Sequence, residues 1–270
     1  MSKKKLNKKL DHLFKSLKIN KGDKIIIHSN IAGLLQFYFV KREIISEIFI
    51  SYLKKYLGKK GVIAIPTYNY QFTKSKNFDL KKSLSQVGFF GNYLIKKKWK
   101  NRTLDPIFSH VISRNLENFD FETINTEAFG EKSFFNYAEK ENFKIVCFCC
   151  SVKTITYIHY IEYLLQLPYR YIKKFKGYFI KDNKKYKIIY KYNVGKKKID
   201  YTPKEQNIYQ LINQRNFIKS YFGRFECFSV DCKYLYSAIA KKIKKNKNFL
   251  ISLWNYQLMK IENLLKNQVI

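Results

Sequence analysis

Acidic residues are scarce in this sequence. Its 270 residues carry 20 Asp and Glu against 53 Lys and Arg, a formal net charge of +33. A field of that sign repels polycations at long range and draws in anionic ligands. Cysteine is scarce too. There are five, an odd number, without the paired spacings that a disulfide framework or a zinc site needs. Cys147, Cys149 and Cys150 sit in the apolar run "CFCC", which reads as buried strand, and Cys227 and Cys232 stand apart. No metal is expected, and a reducing cytoplasm is the expected location. No run of about 18 apolar residues exists, so no membrane span is expected. The N-terminal "LNKKLDHLFKSLK" is amphipathic and lacks the apolar core of a secretory signal. A G-x-G-x-x-G and a P-loop are both missing, which removes an ordinary dinucleotide or ATP fold.

What is present is apolar and aromatic. A hydrophobic share of 46% and an aromatic share of 17% suffice for a real core and exclude disorder. The lysines lie along the whole chain in short runs, the pattern of solvated faces. One segment, "YRYIKKFKGYFIKDNKKYKIIYKY", interleaves aromatics with lysines as a single-strand platform does. A lysine-decorated hairpin accounts for it equally well, so nucleic acid is not the expected partner.

Leu6, Leu10, Leu13 and Leu17 have helical spacing, and so do the apolar residues of 41–57. "IIIH" and "VIAIP" are short continuous apolar runs, as buried strands are. Helix and strand therefore alternate at the front of the chain, which predicts an α/β fold. The expected architecture is a central mixed, mostly parallel sheet holding 24–28, 62–66, 109–113 and 144–149, with helices on both faces. An antiparallel β excursion is expected over about 168–201 and a helical C-terminal part over 230–270, including a helix at 251–268. All of this is assigned to a single domain, 1–270. Ligands of such sheets bind beyond the carboxyl ends of the strands, so the loops "HSN" (28–30) and "PTYNY" (66–70) matter most.

The chemistry concentrates in "TYIHYIE". On a helix His159 and Glu162 share a face, with Thr156 one turn before them. A carboxylate on one imidazole nitrogen fixes the tautomer and leaves the other nitrogen to accept a proton. A structural hydrogen-bonded pair would use the same spacing. His12 and His110 are read as structural.

Seven short segments, in order, resemble those of the aminoglycoside 3-N-acetyltransferase family: "GDKIIIHSN", "GVIAIPTYNY", "FDL", "SQVG", "RTLDPIFSH", "FGEKSFF" and "TYIHYIE". They span residues 22–162, and the likeness fades after residue 180. Asp105, Phe108, Asn92 and Phe134 depart from the family's pattern. The resemblance implies a coenzyme A-dependent N-acyltransferase with acetyl-CoA or another acyl-CoA as co-substrate. It makes His159 the general base, Glu162 its orienting partner, and Thr156 a positioning or carbonyl-polarising group. His28, Ser29 and Asn30 would meet the coenzyme A pyrophosphate through backbone N–H groups and a hydroxyl. Thr67, Tyr68 and Ser109 would line the pantetheine arm. The acceptor is a small-molecule amino sugar. Net charge favours a nucleotide-linked one, for surface polysaccharide synthesis, over a polycationic aminoglycoside. A homodimer is admitted as an assembly.

Overall fold

The computed structural model describes residues 2–99, 101–196 and 203–251. Along the chain run α1 (Lys3–Ser16), β1 (Lys24–Ser29), α2 (Ala32–Leu35), α3 (Arg42–Leu57), β2 (Val62–Pro66), α4 (Phe72–Ser75) and β3 (Asn77–Asp79). Next come α5 (Phe89–Lys96), β4 (Asn101–Arg102), β5 (His110–Ile112), α6 (Phe134–Lys140), β6 (Lys144–Phe148) and α7 (Tyr157–Leu164). The described chain ends with β7 (Arg170–Lys181), β8 (Lys184–Gly195), α8 (Glu205–Tyr209), β9 (Phe217–Phe222), β10 (Phe225–Asp231) and α9 (Cys232–Lys245). Beyond Ile251, the helix expected at 251–268 lies outside the described residues.

Seven strands form one sheet in the order β4-β5-β2-β1-β6-β10-β9. β1 runs parallel to β2 and β6, while the β2–β5, β4–β5, β6–β10 and β9–β10 pairs are antiparallel. The sheet is mixed, as expected, but its parallel character is confined to the three inner strands. The β9–β10 hairpin adds two strands that the sequence reading did not anticipate.

Alternation along the inner strands builds two cores. Ile26, Ala64, Ile145 and Cys147 face one side, and Ile25, Ile27, Ile63, Val146 and Phe148 face the other. Both faces are buried, which is why these strands read as continuous apolar runs. On the second side pack Leu6, Leu10 and Leu13 of α1, Phe49 and Leu53 of α3, and Phe90 and Leu94 of α5. On the first pack Phe135, Ile158 and Ile161 from α6 and α7, and Leu235 and Ile239 from α9. Ser2 caps α1, accepting from the Lys5 N–H at 3.4 Å. Gly58 ends α3 with φ of 70°, a left-handed value that suits glycine.

β7 and β8 form the expected excursion, paired through twelve-residue strands around the Asp182-Asn183 turn. Both turn residues have positive φ, 49° and 63°, as a two-residue hairpin loop requires. Parallel pairing with β3 docks the hairpin on the main body. At Gly177 a side chain would meet the Lys76 carbonyl oxygen at 2.6 Å, so glycine permits the close approach. Phe179 and Tyr190 are buried beneath it.

Candidate active site

The carboxyl ends of β1, β2 and β6 converge on a cavity of about 420 Å³. The register sets His28 beside Cys147 and Ser29 beside Phe148. After β6 the chain turns through Cys149, at φ 54°, into a 3-10 turn, Val152–Thr154, which the Ser151 side chain caps. α7 then starts at the cavity mouth. Its Ile158, Ile161 and Tyr157 point into the core, which turns His159 to the cavity wall.

The His159 side chain is one-quarter exposed and that of Glu162 fully buried. Glu162 Oε2 lies 2.6 Å from His159 Nδ1 and 2.6 Å from Arg170 Nε. Tyr169 donates its hydroxyl to Oε1 at 3.0 Å, and Arg170 Nη2 approaches His159 Nδ1 at 2.8 Å. A carboxylate can only accept. Nδ1 can either donate to Glu162 or accept from Arg170 Nη2, not both. The closer, charged carboxylate at 2.6 Å is the partner it donates to, so Nδ1 carries the proton, Nε2 is the acceptor, and the Arg170 contact with the ring is not a hydrogen bond. Burial pushes the Glu162 carboxyl up, but His159, Arg170 and Tyr169 outweigh it and hold the group below its ordinary value. The carboxylate is thus charged at neutral pH, and its charge is matched by Arg170.

Sequence reading missed Tyr169 and Arg170. The chain reverses after α7 at Gln166, with φ of 48°, and the Leu167 N–H bonds back to the Glu162 carbonyl at 3.2 Å. That reversal, which helical spacing does not reveal, returns residues 169 and 170 to the carboxylate.

His28, Ser29, Tyr68, Thr156 and His159 all line the cavity. Burial lowers His28 to about 4, so its ring is neutral. The Tyr68 hydroxyl meets His110 Nε2 at 3.0 Å, and Thr156 shares the cavity wall with it. Burial pushes this phenol far up, so it stays protonated. His110, fully buried, lies behind Tyr68. Lys153 and Cys150 also line the cavity. Neither was anticipated there, and Cys150 had been expected within a buried strand.

Three expected cavity residues do not line it. Thr67 and Ser109 are fully buried and bond to each other, hydroxyl to hydroxyl, at 2.9 Å. Arg102 gathers them, donating to Ser109 Oγ at 3.1 Å and to the Thr67 carbonyl at 3.2 Å. They brace the loop from behind. Extended chain alternates sides, so Pro66, Tyr68 and Tyr70 reach the cavity and Thr67 cannot. The Asn30 N–H is donated to the Phe148 carbonyl at 2.9 Å and its side chain accepts from the Ala32 N–H at 3.2 Å. That backbone donor is therefore unavailable to a pyrophosphate. Two of the departing residues have structural roles. Asn92 accepts from the Ser85 N–H at 2.6 Å and donates to the Ser85 carbonyl at 2.9 Å, a pairing that a carboxylate could not complete. Asp105 accepts from Tyr190 at 2.8 Å and so ties β8 to the body. Among the described residues no cluster of His, Cys, Asp and Glu is arranged to hold a metal, and no helix is long and apolar enough to cross a membrane.

A polarised histidine at the mouth of a cavity beyond parallel strand ends is the arrangement of an α/β enzyme that takes a proton from its substrate. The profile of the aminoglycoside 3-N-acetyltransferase family matches residues 26–244, and the chain belongs to that family. It is an acyl-CoA-dependent N-acetyltransferase with acetyl-CoA as co-substrate. The fold is similar to that of AAC-IIIb in a binary complex with CoASH, at 14% identity and TM-score 0.69, covering 91% of this chain and 97% of that one. YokD from Bacillus subtilis is 14% identical with TM-score 0.71, over 89% and 99% of the two chains. A mutant of aminoglycoside acetyltransferase AAC(3)-IVa in complex with apramycin is 12% identical with TM-score 0.70, over 92% and 94%. No curated protein sequence matches.

Proposed function

We propose that the chain acetylates an amine of an aminoglycoside by direct transfer from acetyl-CoA, with His159 as general base. The observation that carries this is the Glu162–His159 pair, 2.6 Å apart, with the imidazole opening on the cavity. The acceptor nitrogen attacks the thioester carbonyl carbon while His159 Nε2 takes its proton. Glu162 stays charged, keeps Nδ1–H aimed at itself and balances the imidazolium as it forms. Thr156, on the cavity wall with Tyr68, positions the ring or donates to the carbonyl oxygen. The coenzyme A thiolate leaves and is reprotonated. The pyrophosphate is assigned to the Ser29 hydroxyl and Lys153, since the Asn30 N–H is spent in the sheet.

The aminoglycoside acceptor is supported by the family and is in keeping with the apramycin complex of a neighbour. Neither supports the nucleotide-linked sugar that net charge alone favours. One observation favours a less cationic amino sugar as a second reading: the described cavity wall carries Lys153 and no carboxylate.

Thiol release from acetyl-CoA with aminoglycosides and singly charged amino sugars as acceptors tests both. His159→Ala should lose about 10²–10⁴-fold in turnover while still binding coenzyme A. Near-normal turnover in the folded variant would sink the assignment. Faster turnover with singly charged acceptors would select the second reading.

A further inference from the structure

Cys147 and Cys150 form a Cys-x-x-Cys at the carboxyl end of β6, a spacing hidden when "CFCC" is read only as apolar strand. The left-handed Cys149, at φ 54°, folds residue 150 back beside residue 147. Both sulfurs meet one hydroxyl: Thr154 Oγ1 is 3.8 Å from Cys147 Sγ and 3.5 Å from Cys150 Sγ. Thr154 thus bridges the two thiols from one side, and the His28 carbonyl, 3.5 Å from Cys150 Sγ, holds the other side.

Their surroundings are unequal. Cys147 is fully buried, and the neighbouring Cys150 together with burial pushes its thiol far up. Cys150 is only partly buried and lines the same cavity as His159 and Lys153. Cys147 and Thr154 beside it hold its thiol below the ordinary range despite burial. An accessible thiol with thiolate character beside a buried partner is the arrangement of an attacking and a resolving cysteine.

We propose that Cys150 is a thiol–disulfide exchange site inside the co-substrate cavity, that Cys147 is its resolving thiol, and that its reaction partner is the disulfide of coenzyme A. The Cys150 thiolate attacks one sulfur of that disulfide. The coenzyme A S–S bond breaks, a Cys150–coenzyme A disulfide forms, and the departing thiolate takes up the proton that Cys150 lost. Cys147 then gives up its proton and attacks Cys150 Sγ. The second coenzyme A leaves as a thiol, and a Cys147–Cys150 disulfide remains. Two protein thiols are oxidised and one disulfide is reduced to two thiols, with no other oxidant. The mixed disulfide fills the cavity only transiently. The Cys147–Cys150 disulfide that replaces it ties down the turn in the cavity wall, and acetyl transfer stops until a thiol reductant restores both thiols.

The choice of coenzyme A as partner rests on the cavity assignment above; the thiol pair itself does not. The test is intact-mass measurement and peptide mapping of the reduced full chain after exposure to coenzyme A disulfide. Glutathione disulfide serves in a parallel arm, with and without saturating acetyl-CoA. In folded Cys147→Ser a coenzyme A adduct should accumulate on Cys150. In the wild type it should give way to a Cys147–Cys150 disulfide, and Cys150→Ser should take no label there. Cys147→Ala replaces Cys147→Ser if that variant does not fold. Coenzyme A disulfide should react at least about tenfold faster than glutathione disulfide, and acetyl-CoA should protect. Equal rates without protection would overturn coenzyme A as the partner and count against the cavity assignment, while leaving the thiol pair. No adduct on Cys150 from either disulfide, or oxidation confined to Cys149 and Cys227, whose sulfurs are 3.9 Å apart, overturns the exchange site.

Discussion

Two arginines stand behind the cavity, and both side chains are nearly fully buried. Arg102 donates to neutral oxygens, the Leu80 and Ser83 carbonyls at 2.9 Å each, the Thr67 carbonyl and the Ser109 hydroxyl, and lies 4.9 Å from the centre of the Phe78 ring. Burial accordingly lowers it to about 10. Arg170 meets a carboxylate, Glu162, at 2.6 Å and reaches the imidazole that the carboxylate orients. The same side chain therefore does two jobs. At Arg102 its fork ties loops together, whereas at Arg170 its charge lets a buried carboxylate remain ionised next to a base.

That difference can be broken in order of effect. Arg170→Met leaves Glu162 buried without its cation. Breaking a buried pair costs about 3–5 kcal/mol, to be read in urea unfolding, and turnover of the folded fraction should fall as well. Arg102→Met should cost less, about 1–3 kcal/mol, because neutral acceptors lose a donor but no charge is stranded. Turnover per folded molecule should then stay near wild type. An equal loss of turnover in both variants would erase the distinction.

A pH titration of stability sharpens it further. His28 lies at about 4 in the fold against 6.5 unfolded. The unfolded chain therefore binds a proton first, and stability held above pH 6.5 drains away as pH falls toward 4. The shift corresponds to roughly 3 kcal/mol at most. Glu162 is also depressed, so its contribution is present above its unfolded value and is lost at still lower pH. His28→Gln should make the first limb shallower without abolishing it, because burial also holds His110 well below its ordinary value, and should leave the second. Lys153 should give the smallest effect. Its side chain is 48% exposed and pairs with Glu205 at 3.5 Å, so water and salt screen it. Lys153→Ala should raise the KM for acetyl-CoA by about 3–10-fold at low salt, in line with roughly 1 kcal/mol for an exposed charge, and less at high salt.

What was legible in the sequence follows from how far each signal acts. β1, β2 and β6 are buried on both faces and show it as apolar runs. α1 and α3 show a spacing of three and four, and His159 and Glu162 meet because a helix turn brings them together. β9 and β10 escaped notice because Lys219 and Glu226 pair across them and interrupt the apolar pattern. Arg170 depends on a chain reversal, and Thr67 on which side of an extended segment it occupies. Neither is set by residue type.

The pairing of β1 with β6 has a consequence for how the molecule assembles. Ile25 pairs with Lys144, so the cavity floor needs two distant parts of the chain to meet, whereas β7 and β8 close from Lys181 and Lys184. Contacts between distant residues form slowly relative to local ones. In refolding, the hairpin is therefore expected to gain amide protection first. Coenzyme A binding should return only when β6 has joined β1, and pulsed hydrogen exchange would resolve that order.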